Sequence, residues 1–381
     1  MHDKWRRIKL GEAATFLSGG TPKKSREDYW GGEIPWISGK TLVSGPVETS
    51  ERRLTELGAR EGSRIAPQGA TLLLVRGMSL LQEVRVGRAS RPVAFNQDVK
   101  ALVPNEEFDE TFFSYAIEAL RPQLLRLVHQ ASHGTGVLET GAVKSTTIPV
   151  PALSEQRRIV GVLGALDDLA DLEVSQAEAM SQLAQALVST AASTVSLSEL
   201  GEEVRQSLRP EGSCDHFSLP AFDDGALPIR EDGSSIKSSK NRVSCPSVLI
   251  SRLNPHIPRV WMAYPSDQVP SVASTEFVVV KPSGAPVEWI WACASSQPFL
   301  AQMQGRVTGT TGSHQRVDKR AIMALTVADP AQASDCVVEA VVALVRDSDA
   351  ARQEAARLHG VREELLPLLM SGRVRVGEVA V

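Results

Sequence analysis

Pro149-Val150-Pro151-Ala152-Leu153-Ser154-Glu155-Gln156-Arg157-Arg158-Ile159 stands near the middle of the chain, where a globular segment stops and a long helix begins. Two prolines close the preceding strand, and Ser154 supplies a side-chain oxygen for the unpaired N–H groups of a first helical turn. Ile159, Leu163, Leu166, Leu169, Leu172, Met180, Leu183 and Leu187 then recur mostly at spacings of three and four. A second stretch, from about Ser334 to Met370, carries Val338, Val341, Val345, Leu358, Val361, Leu365 and Leu368, with Pro367 its one proline near the end. At about 1.5 Å per residue, some 40 residues make a rod of roughly 60 Å. Such a rod outreaches a small domain, so its apolar stripe needs a partner helix. The two stretches are expected to pair with each other through Ile159, Leu163, Leu166, Leu183 and Leu187 on one side and Val338, Val345, Leu358 and Leu365 on the other. The competing reading is two unrelated amphipathic core helices.

Each helix follows a copy of the same pattern, with a period of about 176–179 residues. Leu72-Leu73-Leu74-Val75-Arg76 matches Val248-Leu249-Ile250-Ser251-Arg252, and Val99 to Pro104 matches Phe277 to Pro282. These read as buried strands. Phe108 to Leu127 and Pro286 to Gln304 follow with apolar residues at helical spacing. A glycine–threonine turn comes next in each copy, His133-Gly134-Thr135-Gly136 and Gly309-Thr310-Thr311-Gly312. Each copy then closes on a Pro-bounded strand, Thr146 to Pro151 and Leu325 to Pro330. The chain is a duplication.

Its 381 residues suffice for two or three domains with cores of their own, and a 42% hydrophobic, 23% charged composition is that of a soluble globular protein. No apolar run reaches the roughly 18 residues of a spanning helix, and Met1 to Arg7 lacks the apolar centre of a signal peptide. A cytoplasmic location is expected. Cys214, Cys245, Cys293 and Cys336 lie far apart, without a Cys-x-x-Cys pair, and read as small buried or half-buried side chains. The net charge of −4 is unevenly spread: residues 1–150 hold 20 basic and 17 acidic groups, and residues 154–193 hold two and six. Residues 194–330 hold 13 and 14, and residues 331–381 six and eight. Acid concentrates on the helical stretches, leaving the larger segments free to face a polyanion.

Catalytic motifs are missing. Ser38-Gly39-Lys40-Thr41 resembles the end of a phosphate-binding loop, but Ile34 stands where the loop's first glycine belongs. His129 and His133 are spaced for one helix face, yet Gly134 follows at once and no metal site is expected. Asn254-Pro255-His256 lacks the second proline and aromatic ring of an amino-methyltransferase loop, and no serine or cysteine sits in a nucleophile context.

In several places the residues resemble the specificity subunits of Type I restriction–modification systems. The resemblance rests on Leu10-Gly11-Glu12, Gly20-Thr21-Pro22, Ile34-Pro35-Trp36-Ile37, Phe95-Asn96-Gln97-Asp98, Leu153-Ser154-Glu155-Gln156, and the closing Leu365-Leu366-Pro367-Leu368-Leu369-Met370-Ser371-Gly372-Arg373. The second copy opens with Leu200-Gly201-Glu202 but lacks the Gly-Thr-Pro and Ile-Pro-Trp-Ile segments, and its helix lacks the Glu-Gln opening. It resembles another variant of the family's target domain. The resemblance implies an α/β (α+β) chain with two tandem target-recognition domains joined by two long antiparallel coiled-coil helices with pseudo-two-fold repeat symmetry. The expected boundaries are 1–151 and 195–331 for the domains, 152–194 for the central helix, and 332–381 for the C-terminal helix and tail. It further implies a non-catalytic DNA-binding chain. Two modification methyltransferase subunits and, through them, a restriction/translocase subunit would be its partners. S-adenosylmethionine, ATP and Mg²⁺ would sit on those partners.

On that footing, Lys23, Lys24 and Arg26, and in the second copy Lys237, Lys240 and Arg242, are candidates for phosphate contacts. Ordinary solvated cations are the competing reading. Ser132, His133 and Thr135, with Ser313, His314 and Arg316, flank the glycine turns and are candidates for base or backbone contact. Arg252, Asn254 and Arg259 follow a strand, and their side chains suit guanine and adenine edges. Trp36 and Trp261 are expected in the core. Unlike copies imply unlike half-sites, hence an asymmetric target. A free-standing nuclease or methyltransferase, a scaffold without DNA contact, and a methylation-only or related defence complex are the rivals.

Overall fold

The computed structural model describes residues 5–131, 134–307 and 315–378. Two compact units divide the chain: residues up to Asp168 together with those from Leu358 onward, and Leu169–Arg357. The central helix, Leu153–Val188, and the C-terminal helix, Asp335–Ser371, each contribute one part to each unit.

In the first unit a five-stranded sheet runs in the order 14–18, 99–104, 71–74, 86–89, 45–47, and a four-stranded sheet in the order 53–54, 30–37, 93–95, 65–66. In the second unit the sheets run 201–203, 277–282, 247–251, 260–263 and 207–208, 240–243, 271–273, 213–217, 229–232. Most pairs are antiparallel. One parallel pair recurs in both units: Trp36 and Ile37 beside Ala94 and Phe95, and Asp215 to Phe217 beside Ser271 to Ala273. The second copy thus fills the place of Ile34-Pro35-Trp36-Ile37 with an unrelated strand, Ser213–Phe217. Trp36 and Trp261 are buried, Trp261 edge-on to Phe217 and Phe222.

The strand registers correct two sequence matches. Leu74 pairs with Val99, and Ser251 with Phe277. The position equivalent to Arg252 is therefore Val75, one residue earlier than the sequence match placed it. Likewise, Leu10 donates its N–H to Thr146 O at 2.8 Å and Leu197 to Leu325 O at 2.8 Å. Leu10-Gly11-Glu12 is thus equivalent to Leu197-Ser198-Glu199, not to Leu200-Gly201-Glu202. Runs of leucine and valine look alike in any frame, and only the pairing fixes register.

The central helix is anchored by Gln156, which is fully buried. Its amide donates to Pro151 O and Glu107 O at 2.9 Å each and accepts from the Asp109 N–H at 2.8 Å. These bonds tie the start of the helix to the Glu107–Asp109 turn of the first unit. Within the first unit Ile159 and Leu163 share a core with Leu366, Leu369 and Met370, and Arg362 Nε donates to Asp167 at 2.8 Å. Within the second unit Ala184 and Val188 share a core with Val341 and Val345. There Ser181 and Ser348 are hydrogen-bonded at 2.8 Å, and the Ser348 hydroxyl donates to Ala177 O at 2.9 Å. In each unit the helices pair antiparallel.

The seam differs from the expected leucine stripe. Leu163, Ala170, Ala177 and Ala184, seven residues apart, are fully buried. On the C-terminal helix Val341, Ser348 and Ala355 in the second unit, and Arg362 and Leu369 in the first, are buried at the same spacing. Small side chains let the backbones approach closely enough for a serine hydroxyl to reach a main-chain carbonyl. Of the anticipated seam residues, Ile159, Leu163, Val345 and Leu358 are buried, and Leu166, Leu187, Val338 and Leu365 are half-buried. Leu183 is 51% exposed, as are Leu169 at 49% and Leu172 at 52%. Cys214 and Cys293 are buried, and burial pushes the Cys293 thiol up to about 12; Cys336, expected to be covered, is exposed.

Candidate nucleic-acid interface

The same junction is built at one end of the central strand in both units. In the first, the Asn96 side chain accepts from the Asp98 N–H at 3.1 Å, closing a tight turn before Val99. In the second, Ser274 does the same for Glu276 at 3.3 Å. The carbonyls of Asp98 and Glu276 then accept from Val75 N–H at 2.8 Å and Arg252 N–H at 2.9 Å. A returning segment completes the junction: Leu138 N–H donates to Val75 O at 2.9 Å, and Val317 N–H to Arg252 O at 3.0 Å. Each unit therefore holds an acid, a strand end and a returning segment in one place.

The side chains there differ. In the second unit, Glu276 accepts two bonds from Arg316, at 2.8 and 3.1 Å, and lies 4.0 Å from Arg252. The Arg316 guanidinium is held further above its ordinary range by that hydrogen-bonded carboxylate. Asn254 adopts a left-handed backbone, φ +49°, and donates its N–H to Gln315 O at 2.8 Å. Its side-chain oxygen and Arg252 Nε are buried without a hydrogen-bond partner among the described residues. Arg252, Asn254 and Arg316 are thus brought together. Arg259 is committed elsewhere, with two bonds to Asp223 at 2.6 and 2.8 Å. That bonding holds the Asp223 carboxyl below the usual range, against the opposing effect of its partial burial.

In the first unit a cleft of about 600 Å³ opens at the junction, lined by Ser38, Lys40, Arg76, Met78, Asn96 and Asp98 among others. Ser38-Gly39-Lys40-Thr41 forms a tight turn here, closed by Thr41 N–H to Ser38 O at 3.0 Å and Ser38 N–H to Thr41 Oγ1 at 2.9 Å. Arg76 and Lys40 are exposed, and Met78 is 75% exposed. Sequence reasoning passed over Arg76, Lys40 and Asp98 as site residues; the signal was Asn96-Gln97-Asp98, whose turn chemistry aims the strand end.

The remaining candidates are dispersed. Lys23, Lys24 and Arg26 lie on an exposed loop, where Arg26 is held by Asp28 at 2.6 and 2.8 Å and stacks 4.4 Å from the Tyr29 ring. Lys237 and Arg242 are exposed, and Lys240 donates to Ser238 Oγ at 2.7 Å. Thr135 is half-buried and its carbonyl accepts from Ala131 N–H at 2.8 Å. His129 lies on a short strand, His129–Gln130, not on a helix, 3.7 Å from Glu139. Ser132, His133, Ser313 and His314 lie outside the described residues. Among the described residues no helix is long and apolar enough to cross a membrane, and no group of three or more His, Cys, Asp or Glu is placed to hold a metal ion.

Residues 2–179 match the family described as the Type I restriction modification DNA specificity domain. Over 162 residues the chain is 31% identical to the Type I restriction enzyme EcoR124I/EcoR124II specificity subunit of Escherichia coli, covering 42% of this chain and 40% of that protein. Over 186 residues it is 29% identical to the Type I restriction enzyme MjaIX specificity subunit of Methanocaldococcus jannaschii, covering 47% and 42%. The matched part spans about two fifths of the length of these curated relatives. In structure the chain is similar to the Type I restriction-modification system S subunit from M. genitalium, with a TM-score of 0.56 over 97% of both chains. At 13% identity that is a likeness of fold. Residues 2–179 thus match a Type I restriction modification DNA specificity domain, and over nearly its whole length the chain has the fold of the M. genitalium S subunit.

Proposed function

We propose that the chain reads a two-part, asymmetric DNA sequence and directs methyltransferase subunits to it, with no chemistry of its own. One observation carries this reading: two units share one junction down to its turn hydrogen bonds yet present different side chains from it. A duplicated scaffold with unlike tips suits a target whose two halves differ. Phosphate contacts would set position, and a few side chains at the junctions would read base edges.

Partners follow from the helices. Leu169, Leu172 and Leu183, left exposed beside a seam of alanines, are suited to cover by helices of a modification subunit. Two such subunits would carry S-adenosylmethionine, and a restriction subunit using ATP and Mg²⁺ would join through them. Co-expression with the cognate modification subunit in a host free of adenine methylation tests this. Methylome sequencing is expected to show one split, non-palindromic motif, absent when either protein is missing. Methylation by this chain alone, or a modification pattern indifferent to it, overturns the proposal.

A further inference from the structure

The corrected register places an arginine at the same opposed pair in both units, on opposite strands. In the first unit Arg76 on the strand end faces Val137 on the hairpin stem. In the second unit the equivalent pair is Leu253 facing Arg316. Directly opposed residues of an antiparallel pair project on one face of the ribbon. Each unit therefore presents one guanidinium and one aliphatic side chain from that face, with their order exchanged.

We propose that this pair is the base-reading head of each unit, with Arg76 and the neighbouring Met78 setting specificity in one half-site and Arg316 in the other. The inference rests on the DNA-reading function above and names the residues that perform it. The acid at the junction decides between base and phosphate. A carboxylate in a phosphate pocket repels the ligand, yet both junctions keep one, Asp98 and Glu276. A base edge offers donors as well as acceptors, so an arginine beside a carboxylate matches it: the arginine donates to guanine N7 and O6, and the acid accepts an amino hydrogen. Asp98 is held for this by Asn96, whose amide donates to it at 2.9 Å. Met78, 75% exposed beside Arg76, offers an apolar contact of the kind a thymine methyl makes. Because the arginine comes from different strands, the guanine it reads is offset differently against the rest of each head, so the two units need not share a half-site.

The test uses the chain complexed with its modification subunit. The wild-type methylome first supplies the motif; if no split motif appears, it is the underlying function that fails. Given a motif, R76A and R76K are each expected to relax one position in one half only, and R316A a position in the other. Duplexes carrying that motif, with each base pair substituted in turn, are then titrated. R76K keeps the charge without the two-pronged geometry, so it should lose about ten- to hundred-fold discrimination at a single position while binding mismatched duplexes as wild type does. Weakening spread evenly over all duplexes makes Arg76 a phosphate contact and overturns the proposal. So does an unchanged motif, or R76A and R316A altering the same half.

Discussion

Arg362 shows how one residue can tie three elements of the first unit together. Its side chain is 8% exposed and donates to Glu118 at 2.7 and 2.8 Å and to Asp167 at 2.8 Å. Tyr115 adds its ring 5.2 Å from the guanidinium and donates its hydroxyl to Asp167 at 2.8 Å. Burial disfavours the arginine's charge, but the surrounding carboxylates outweigh it and raise the group above its ordinary range. Burial likewise pushes the Tyr115 hydroxyl up, reinforced by Asp167, so it stays a proton donor at any working pH. Removing one member of such a pair strands the other. R362A leaves Glu118 buried with only Arg121, 3.3 Å away, and should cost about 3–5 kcal/mol of unfolding free energy. The double variant R362M/E118L, which removes both charges, should cost far less. Urea unfolding of the full chain measures both, and a single-variant loss below about 1 kcal/mol would mean the network is not what fastens the C-terminal helix.

At the level of elements, the helix pair separates what holds it together from what, on the proposed reading, it would offer a partner. Ala177 and Ala170 are fully buried in the seam, so a leucine at position 177 must push the helices apart; A177L should destabilise the chain by about 1–3 kcal/mol. L183S touches no seam contact and should leave unfolding within about 0.5 kcal/mol while reducing co-purification of the modification subunit. Stable A177L, or L183S that retains its partner in full, would reverse these assignments. The sequence made the helices legible because prolines and a sustained period of three and four bound them, although Ser154, expected as the cap, lies within the helix, whose first turn closes on Ala152 O. It misled on part of the seam because large apolar residues draw the eye, whereas alanine and serine fill several of the buried positions spaced by seven. The repeat was legible for a similar reason and misaligned for another: strands such as Leu72-Leu73-Leu74 and Val248-Leu249-Ile250 carry no internal mark of register, which comes from hydrogen bonding to neighbours. Arg76 was therefore matched to Arg252 when its equivalent is Leu253, and the exchange of Arg76 with Arg316 stayed hidden.

On the scale of the whole molecule, the proposed binding to DNA would have to overcome a net charge of −4. The distribution resolves this, since residues 1–150 carry three more basic than acidic groups while residues 154–193 carry four more acidic than basic. Not every cation in the positive segment is available. Arg26 already spends its guanidinium on Asp28, and Arg6 on Glu107 at 2.7 Å, whereas Lys23 and Lys24 are exposed on the loop before it. A phosphate contact releases counterions, so each one adds about 0.9 to the slope of log affinity against log salt. If Lys23 and Lys24 both contact phosphates, K23A/K24A should flatten that slope by about 1.8 and weaken matched and mismatched duplexes by the same factor. R26A should change the slope by much less, because breaking an existing ion pair offsets what the cation gives to DNA. The measurement is a titration of a fluorescent duplex with the methyltransferase complex between about 50 and 200 mM salt, the range over which such contacts change affinity most visibly. An unchanged slope in K23A/K24A removes this loop from the interface, and a large change in R26A alone would mean that Asp28 lets go of it when DNA arrives.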